Sequence, residues 1–261
     1  MPTIQDSKCV LVVGATAGIG RALALAIHDL PSKPTVIVSG RRQERLDELA
    51  KKSDRIHGAK IDIDADRETL VKTVDGVLQK YPEIDGVIFS AGIQREFKFK
   101  EPEQMNLDSL YSEFNTNYLS IVTMISKSFL PHFYKVGKQG HPCFVSPVTS
   151  GLAIVPGPWV PNYCATKAAL HSLSLSLIKQ LEGTNVQIME IIPPLVESEL
   201  HDYEGTTERL SKIWMPLDEF TNTVMDGLKR GDPQIAAGMS KKQYEKYEQD
   251  KLSAMISMPG K

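Results

Sequence analysis

Short β-branched runs alternate along this chain with stretches whose apolar residues recur at helical spacing. KCVLVV (8–13) predicts a strand that ends at Gly14, and IGRALALAIHDL (19–30) a helix that stops near Pro31. TVIVS (35–39) and QERLDELAKK (43–52) repeat the pair. RIHGAKID (55–62) is a weaker third strand, followed by a helix over DRETLVKTVDGVLQK (66–80). IDGVIFS (84–90) is the fourth strand, and the stretch from Leu107 to Val136 reads as a long helix with Pro131 near its end. HPCFVSP (141–147) gives the fifth strand, residues 162–181 a helix, and VQIMEII (186–192) the sixth strand. Strands that are apolar throughout, separated by helices, call for a parallel sheet covered on both faces. The expected fold is therefore α/β: a doubly wound parallel sheet with helices on both faces, and ligands beyond the carboxyl ends of its strands.

Two segments stand outside this alternation. Residues 197–217 are irregular, carry Gly205 and follow a strand end, so they read as a flap over the ligand crevice. SKKQYEKYEQDKLSAM (240–255) reads as a charged surface helix. With no repeat, low-complexity segment or linker, residues 1–261 are expected to form one domain.

Composition narrows the class. The formal net charge of −2 gives no reason to expect a nucleic-acid partner. Cys9, Cys143 and Cys164 have neither paired nor metal-like spacing, which suits a reducing compartment. No apolar run reaches the ~18 residues that span a bilayer. MPTIQDSK lacks the basic-then-apolar pattern of a signal peptide, and ISMPGK matches no address or lipidation signal. The expectation is a soluble cytoplasmic protein without membrane or nucleic-acid partners.

The chemistry begins where the first strand runs into GATAGIG. Gly14 permits a tight exit, Gly18 a close backbone approach to a ligand, and Gly20 close packing of helix on sheet. Free N–H groups at the start of the following helix suit a pyrophosphate. After the second strand, where a carboxylate would bond the ribose of NAD, SGRRQERL places Arg41 and Arg42. Two cations opening a helix oppose its dipole, a cost that the 2′-phosphate of NADP would offset through charge-assisted bonds. Further along, PNYCATKAALH sets Tyr163 and Lys167 four residues apart, hence on one helical face. A phenol of pKa near ~10 exchanges protons poorly at neutral pH. Lowering that by ~3 units requires roughly 4 kcal/mol, which a nearby ammonium in a desolvated cleft could help supply.

The G-x-x-x-G-x-G spacing, the Y-x-x-x-K pair and a serine, Ser150, thirteen residues before the tyrosine together resemble the short-chain dehydrogenase/reductase family, over roughly residues 8–200. The resemblance implies a single Rossmann-type domain. It implies Tyr163 as acid/base, Lys167 as the group that lowers its pKa and binds the nicotinamide ribose, and Ser150 as the group that positions the substrate oxygen, with Ser146 and Thr149 as competing hydroxyls. In EFNTNYLS it implies Asn117 as the fourth member, holding a water linked to the lysine, with Asn115 competing and the small Ser120 three residues on. For NADP(H) it implies contacts from Gly14, Thr16, Gly18, Ile19, Gly20, Arg41, Arg42, Asp62, Ile63, Ser90, Ala91, Gly92, Tyr163, Lys167, Pro193, Val196 and Ser198. Asp62 would bond the adenine amino group, and Val196 the nicotinamide carboxamide. The chain departs from the family pattern at Ala17, where a second basic residue is common, at Ser90, which stands for asparagine, at Pro194, which stands for glycine, and at Ser198, which stands for threonine.

The run SGLAIVPGPWVPNYCATKAALHSLSLSL, with IIPPLVESELH downstream, is similar to a microbial, carbonyl-reductase-like subgroup. This implies NADPH-dependent reduction of a small-molecule ketone, diketone or aldehyde. Rival readings are an alcohol or sugar dehydrogenase running oxidatively, a ketoacyl reductase, and a nucleotide-sensing regulator; the last usually lacks the Tyr–Lys pair. Gln94, Val155, Trp159, Leu195 and Tyr203, with the 197–217 flap, are expected to line an apolar substrate pocket. Cys164 reads as a packing residue and His171 as facing the core or a subunit neighbour, with no metal site. The resemblance also implies a homo-oligomer, dimer or tetramer.

Overall fold

The architecture comes from a computed structural model that describes residues 3–138, 140–200 and 207–255. Six parallel strands form the main sheet: β1 (Cys9–Val13), β2 (Thr35–Gly40), β3 (Ile56–Lys60), β4 (Gly86–Phe89), β5 (Cys143–Pro147) and β6 (Val186–Ile188), in the order β3-β2-β1-β4-β5-β6. Each lies within a few residues of its sequence expectation. β1 shows why its run is apolar throughout. Val10 and Val12 face one layer, with Leu23 and Ile27 of helix α1 (Gly18–His28). Cys9, Leu11 and Val13 face the other, with Leu70 and Val74 of helix α3 (Arg67–Lys80). Helix α2 (Gln43–Ala50) covers β2 and β3 through Leu46 and Leu49. The strand order runs outward in both directions from β1 and β4, so the crevice beyond their carboxyl ends is the topological switch point where α/β folds bind ligands.

The sixth predicted strand is two. Met189 interrupts VQIMEII, and β7 (Glu190–Ile192) pairs in parallel with β8 (Gln234–Ala236), which the sequence pattern did not reveal. A bridge between Val148 and Ile191 and the bond from Thr149 N to Ile191 O join this pair to β5. The long helix also differs from expectation. It comprises α4 (Leu107–Phe114), a π turn over Asn115–Leu119, α5 (Ser120–Met124), a second π turn over Ile125–Phe129, and α6 (Leu130–Gly137). Pro131 lies near the end of the stretch, as expected. It sits in the first turn of α6, just after a π turn, where a missing N–H is tolerated.

Helix α7 (Pro161–Gln180) packs beside α4 and its π turn. Among the described residues of the expected flap, α8 (Thr207–Leu210) lies between ends that are pinned together. Val196 bridges Met215, with Glu197 N bonded to Met215 O and Met215 N to Leu195 O. Tyr203 and Gly205 lie outside the described residues. Helix α9 (Leu217–Arg230) packs on α1 through Phe220, Val224 and Leu228. The tail forms α10 (Gly238–Tyr247) and α11 (Lys251–Ala254), and it is not simply solvated. Ser240 and Glu248 are buried, and Ser240 Oγ donates to Pro193 O at 2.8 Å. No helix among the described residues is long and apolar enough to cross a membrane.

Candidate active site

The glycine turn between β1 and α1 is shaped by what it excludes. Gly14 has φ +86° and Gly18 φ +50°, the left-handed region that favours glycine. A Cβ on Gly14 would lie 2.5 Å from Ala91 N, and one on Gly20 2.3 Å from Gly14 O. Both obstacles are backbone, so neither position accepts a side chain without moving the turn. Gly20→Ala is accordingly expected to destabilise the fold by about 2 kcal/mol or more and to abolish dinucleotide binding, which thermal unfolding and fluorescence titration would check. Ala17 caps α1 without a side-chain bond, which leaves the first-turn N–H groups of the helix, Ile19 among them, available to an anion. Ser90 packs its small side chain against Gly20 and donates N–H to Val13 O at 2.8 Å, so it joins the β4 loop to the turn without an amide.

The cations after β2 diverge. Arg41 pairs with Asp64 at 2.8 Å, on the side of Asp62, whose Oδ1 accepts from Asp64 N at 3.1 Å. Ile63 is buried, and its carbonyl accepts from Ser120 Oγ at 2.5 Å. Arg42 turns toward the glycine turn, where its Nε and Nη2 donate to Thr16 Oγ1 at 3.0 and 2.7 Å. Its Nη1 meets Glu199 at 2.8 Å, and Arg45 Nη1 meets the same carboxylate at 2.7 Å. Burial works to raise the Glu199 carboxyl, but the bonds and charges of Arg42 and Arg45 outweigh it and hold the group below the usual range. Sequence reasoning missed both Arg45 and Glu199. Arg45 follows Arg42 by three residues, one helical turn, which was the available signal; Glu199 comes from far along the chain and had none. Ser198 lies against Gly18, with its Cβ 3.1 Å from where a Cβ there would stand.

Tyr163, Lys167, Ser150 and Asn117 converge at the ends of β4 and β5. Pro161 starts α7, which places Tyr163 and Lys167 on its buried face. Lys167 is 4% exposed, its Nζ donates to Val148 O at 2.8 Å, and it sits 5.7 Å from the Tyr163 ring centroid. Burial lowers the ammonium to about 8, against the charge of Glu113, which raises it. The Ser150 hydroxyl lies near enough to Tyr163 to favour its ionisation. Burial pushes its phenol above the ordinary value, by more than the Ser150 hydroxyl lowers it.

Ser150 Oγ also accepts from Leu152 N at 3.1 Å. The competing hydroxyls are engaged elsewhere: Ser146 donates to Met189 O, and Thr149 to Glu190 at 2.7 Å. Asn117 is fully buried in the first π turn. Its Oδ1 accepts from Ile93 N at 2.9 Å, while its Nδ2 donates to Ile93 O at 2.8 Å and Thr166 Oγ1 at 3.1 Å. Asn115 instead lines a surface hollow with Asp66 and Leu119. At Gly92 a Cβ would stand 3.2 Å from Asn117 Oδ1 and 3.6 Å from Lys167 Nζ, so the glycine lets both groups approach the loop. Pro193 O receives Gly151 N and Ser240 Oγ, both at 2.8 Å, and Val196 is buried beside it.

Of the expected substrate residues, Val155 and Trp159 are 37% and 53% exposed. Gln94 and Leu195 are half-buried, and Tyr203 is outside the described residues. Cys164 packs against Gly157, its Sγ accepting from Gly157 N at 3.2 Å. His171 faces the core between Glu190 and Glu248. Among the described residues no cluster of His, Cys, Asp and Glu is arranged to hold a metal.

Residues 8–209 match the family model described as short chain dehydrogenase. The chain is 36% identical over 232 residues to the uncharacterized oxidoreductase DltE of Bacillus subtilis, covering 88% of each. It is 29% identical over 223 residues to the NADP-dependent 3-hydroxy acid dehydrogenase of Schizosaccharomyces pombe, covering 83% of each. A short chain dehydrogenase/reductase from Burkholderia phymatum, solved in complex with NAD, superposes with a TM-score of 0.81 over 100% of both chains at 16% identity. From its crevice to its family model match, this chain belongs to the short-chain dehydrogenase family of oxidoreductases.

Proposed function

We propose that the chain is an NADPH-dependent reductase of apolar ketones, diketones or aldehydes, with Tyr163 as the proton donor. The convergence of Tyr163, Lys167, Ser150 and Asn117 beside the glycine turn carries this reading. The turn suits a pyrophosphate, because Gly14 and Gly20 leave no room for a Cβ and the start of α1 lacks a side-chain cap. When bound, the reduced nicotinamide supplies the hydride that the protein only orients.

The chain's own residues do the rest. Ser150 hydrogen-bonds the carbonyl oxygen and holds it near Tyr163. Tyr163, kept protonated by burial, gives its proton to that oxygen as negative charge develops there. Lys167 stabilises the phenolate left behind, helped by a fixed charge that needs no reorganisation. Asn117 holds the loop and helix together, on the path by which a proton returns. Val155 and Trp159, exposed apolar side chains between Ser150 and Tyr163, favour an apolar substrate.

Arg42 and Arg45 form the basis for a preference for NADPH. Each would give the 2′-phosphate a charge-assisted bond in place of Glu199. Replacing either by alanine is expected to weaken NADPH binding about 10- to 100-fold and to leave NADH binding within a few-fold. Dissociation constants for both cofactors, with initial rates on a panel of aldehydes, α-diketones and ketoesters, test the reading. Equal use of NADH and NADPH would remove the cofactor preference, and no turnover of any carbonyl would remove the reductase.

A further inference from the structure

We propose that Glu113 is a positioning residue for the Tyr163–Lys167 pair, tying the loop after β4 to the first turn of α7 and serving as the buried countercharge of Lys167. The role rests on the catalytic reading above and adds to it a residue that the Tyr-Lys-Ser-Asn set does not contain.

Glu113 is a carboxylate with no solvent exposure, on α4 one turn before Asn117. Its Oε1 accepts from Arg95 N at 2.9 Å, and its Oε2 accepts from Asn162 Nδ2 at 2.6 Å. Asn117 makes the parallel set of bonds one turn later, to Ile93 of the same loop and to Thr166 of the same helix. The two residues therefore act as successive rungs. Each joins a backbone group of the β4 loop to a side chain of α7, and Asn162 and Thr166 are themselves one turn apart. Asn162 directly precedes Tyr163, so the Glu113 rung fixes the start of the helix that aims the phenol.

A buried anion at this place has an electrostatic consequence. Lys167 is buried and would lose its proton readily, and Glu113 is the charge that opposes this. It also opposes ionisation of Tyr163, alongside Cys164, while the Ser150 hydroxyl favours ionisation. Both Tyr163 and Lys167 must be protonated for reduction, so the rate falls as pH rises through their joint titration. Removing the charge of Glu113 lets both groups lose protons at lower pH, and the alkaline limb of the rate profile moves down.

Glu113→Gln removes the charge while its amide oxygen can still accept from Arg95 N and Asn162 keeps its bond to Leu110 O. The alkaline limb of kcat/KM for NADPH-dependent carbonyl reduction is expected to move down by about half a pH unit or more. Asn162→Ala cuts the tether and keeps the charge. It is expected to lower kcat about tenfold, with KM for NADPH within a few-fold and the limb unmoved. An unmoved limb in Glu113→Gln overturns the countercharge role. Wild-type kcat in Asn162→Ala overturns the positioning role, and this arm decides the matter if Glu113→Gln does not fold. Tyr163→Phe run alongside separates the layers: activity lost there with both other variants unchanged overturns Glu113 alone, whereas activity retained there overturns the catalytic reading and this inference with it.

Discussion

Tyr163→Phe is expected to lower kcat for carbonyl reduction by roughly 10²- to 10⁴-fold while NADPH still binds. The ring packs with Val160 and Cys164, and phenylalanine preserves that contact, so the fold should survive. Only the hydroxyl and its proton are lost. Burial raises the phenol above its ordinary value, which suits a donor: the proton stays in place at neutral pH until charge develops on the substrate oxygen. Thr149 and Ser146 cannot take over, since both hydroxyls are committed to the β6–β7 segment. Steady-state rates with a cofactor-binding titration would check the split between lost chemistry and retained binding.

His171→Ala is expected to cost roughly 3–5 kcal/mol of stability, the usual consequence of leaving buried charges without a partner. Both ring nitrogens of His171 face carboxylates, Nδ1 with Glu190 at 2.8 Å and Nε2 with Glu248 at 3.0 Å, so the ring is charged when both bonds are made. The surrounding groups are Thr149 and Gln234 on Glu190, and Lys251 on Glu248, with Tyr244 nearby. Burial works to lower the imidazole, but its bonds to and the charges of Glu190 and Glu248 raise it overall. A raised folded-state value means that this stabilisation is fully present below the ordinary value of ~6.5 and is lost as pH rises through the folded-state value. Asp85, raised by burial to about 6, loses its own contribution at lower pH, from its ordinary carboxylate range up to about 6. Thermal unfolding as pH rises above the ordinary imidazole value of ~6.5 should therefore show a contribution that declines in the wild type and is absent from His171→Ala. The network ties α7 to β7 and the C-terminal helices, so loss of the imidazole also loosens the tail behind Gly151 and Pro193.

How much of this was legible in sequence depended on how local each signal is. β1, β2, β4 and β5 were readable because strands buried on both faces are apolar throughout. The break at Met189 was not, because VQIMEII stays apolar while the pairing changes from β5 to β8. β8 has only three residues, too few for a pattern. That Tyr163 and Lys167 share one helical face and that the glycines make a tight turn was legible because helical spacing and turn chemistry are properties of neighbouring residues, whereas Ser150 was singled out only through the resemblance of its thirteen-residue separation from the tyrosine. Glu113 and Glu199 were not, because an acidic residue in a helix or loop ordinarily reads as solvated, and their partners come from distant segments. The tail misled for the same reason: its charged composition hides the two positions, Ser240 and Glu248, that dock it.

The most direct test of the account is isotope transfer from NADPH deuterated at the hydride-donating carbon of the nicotinamide, with an apolar α-diketone as acceptor and the products resolved by mass spectrometry. The account expects deuterium on the carbinol carbon of the alcohol from the wild-type chain, with the label nearly absent from Tyr163→Phe. Saturable NADPH binding with no labelled alcohol from any carbonyl, or equal labelling by both proteins, would contradict it.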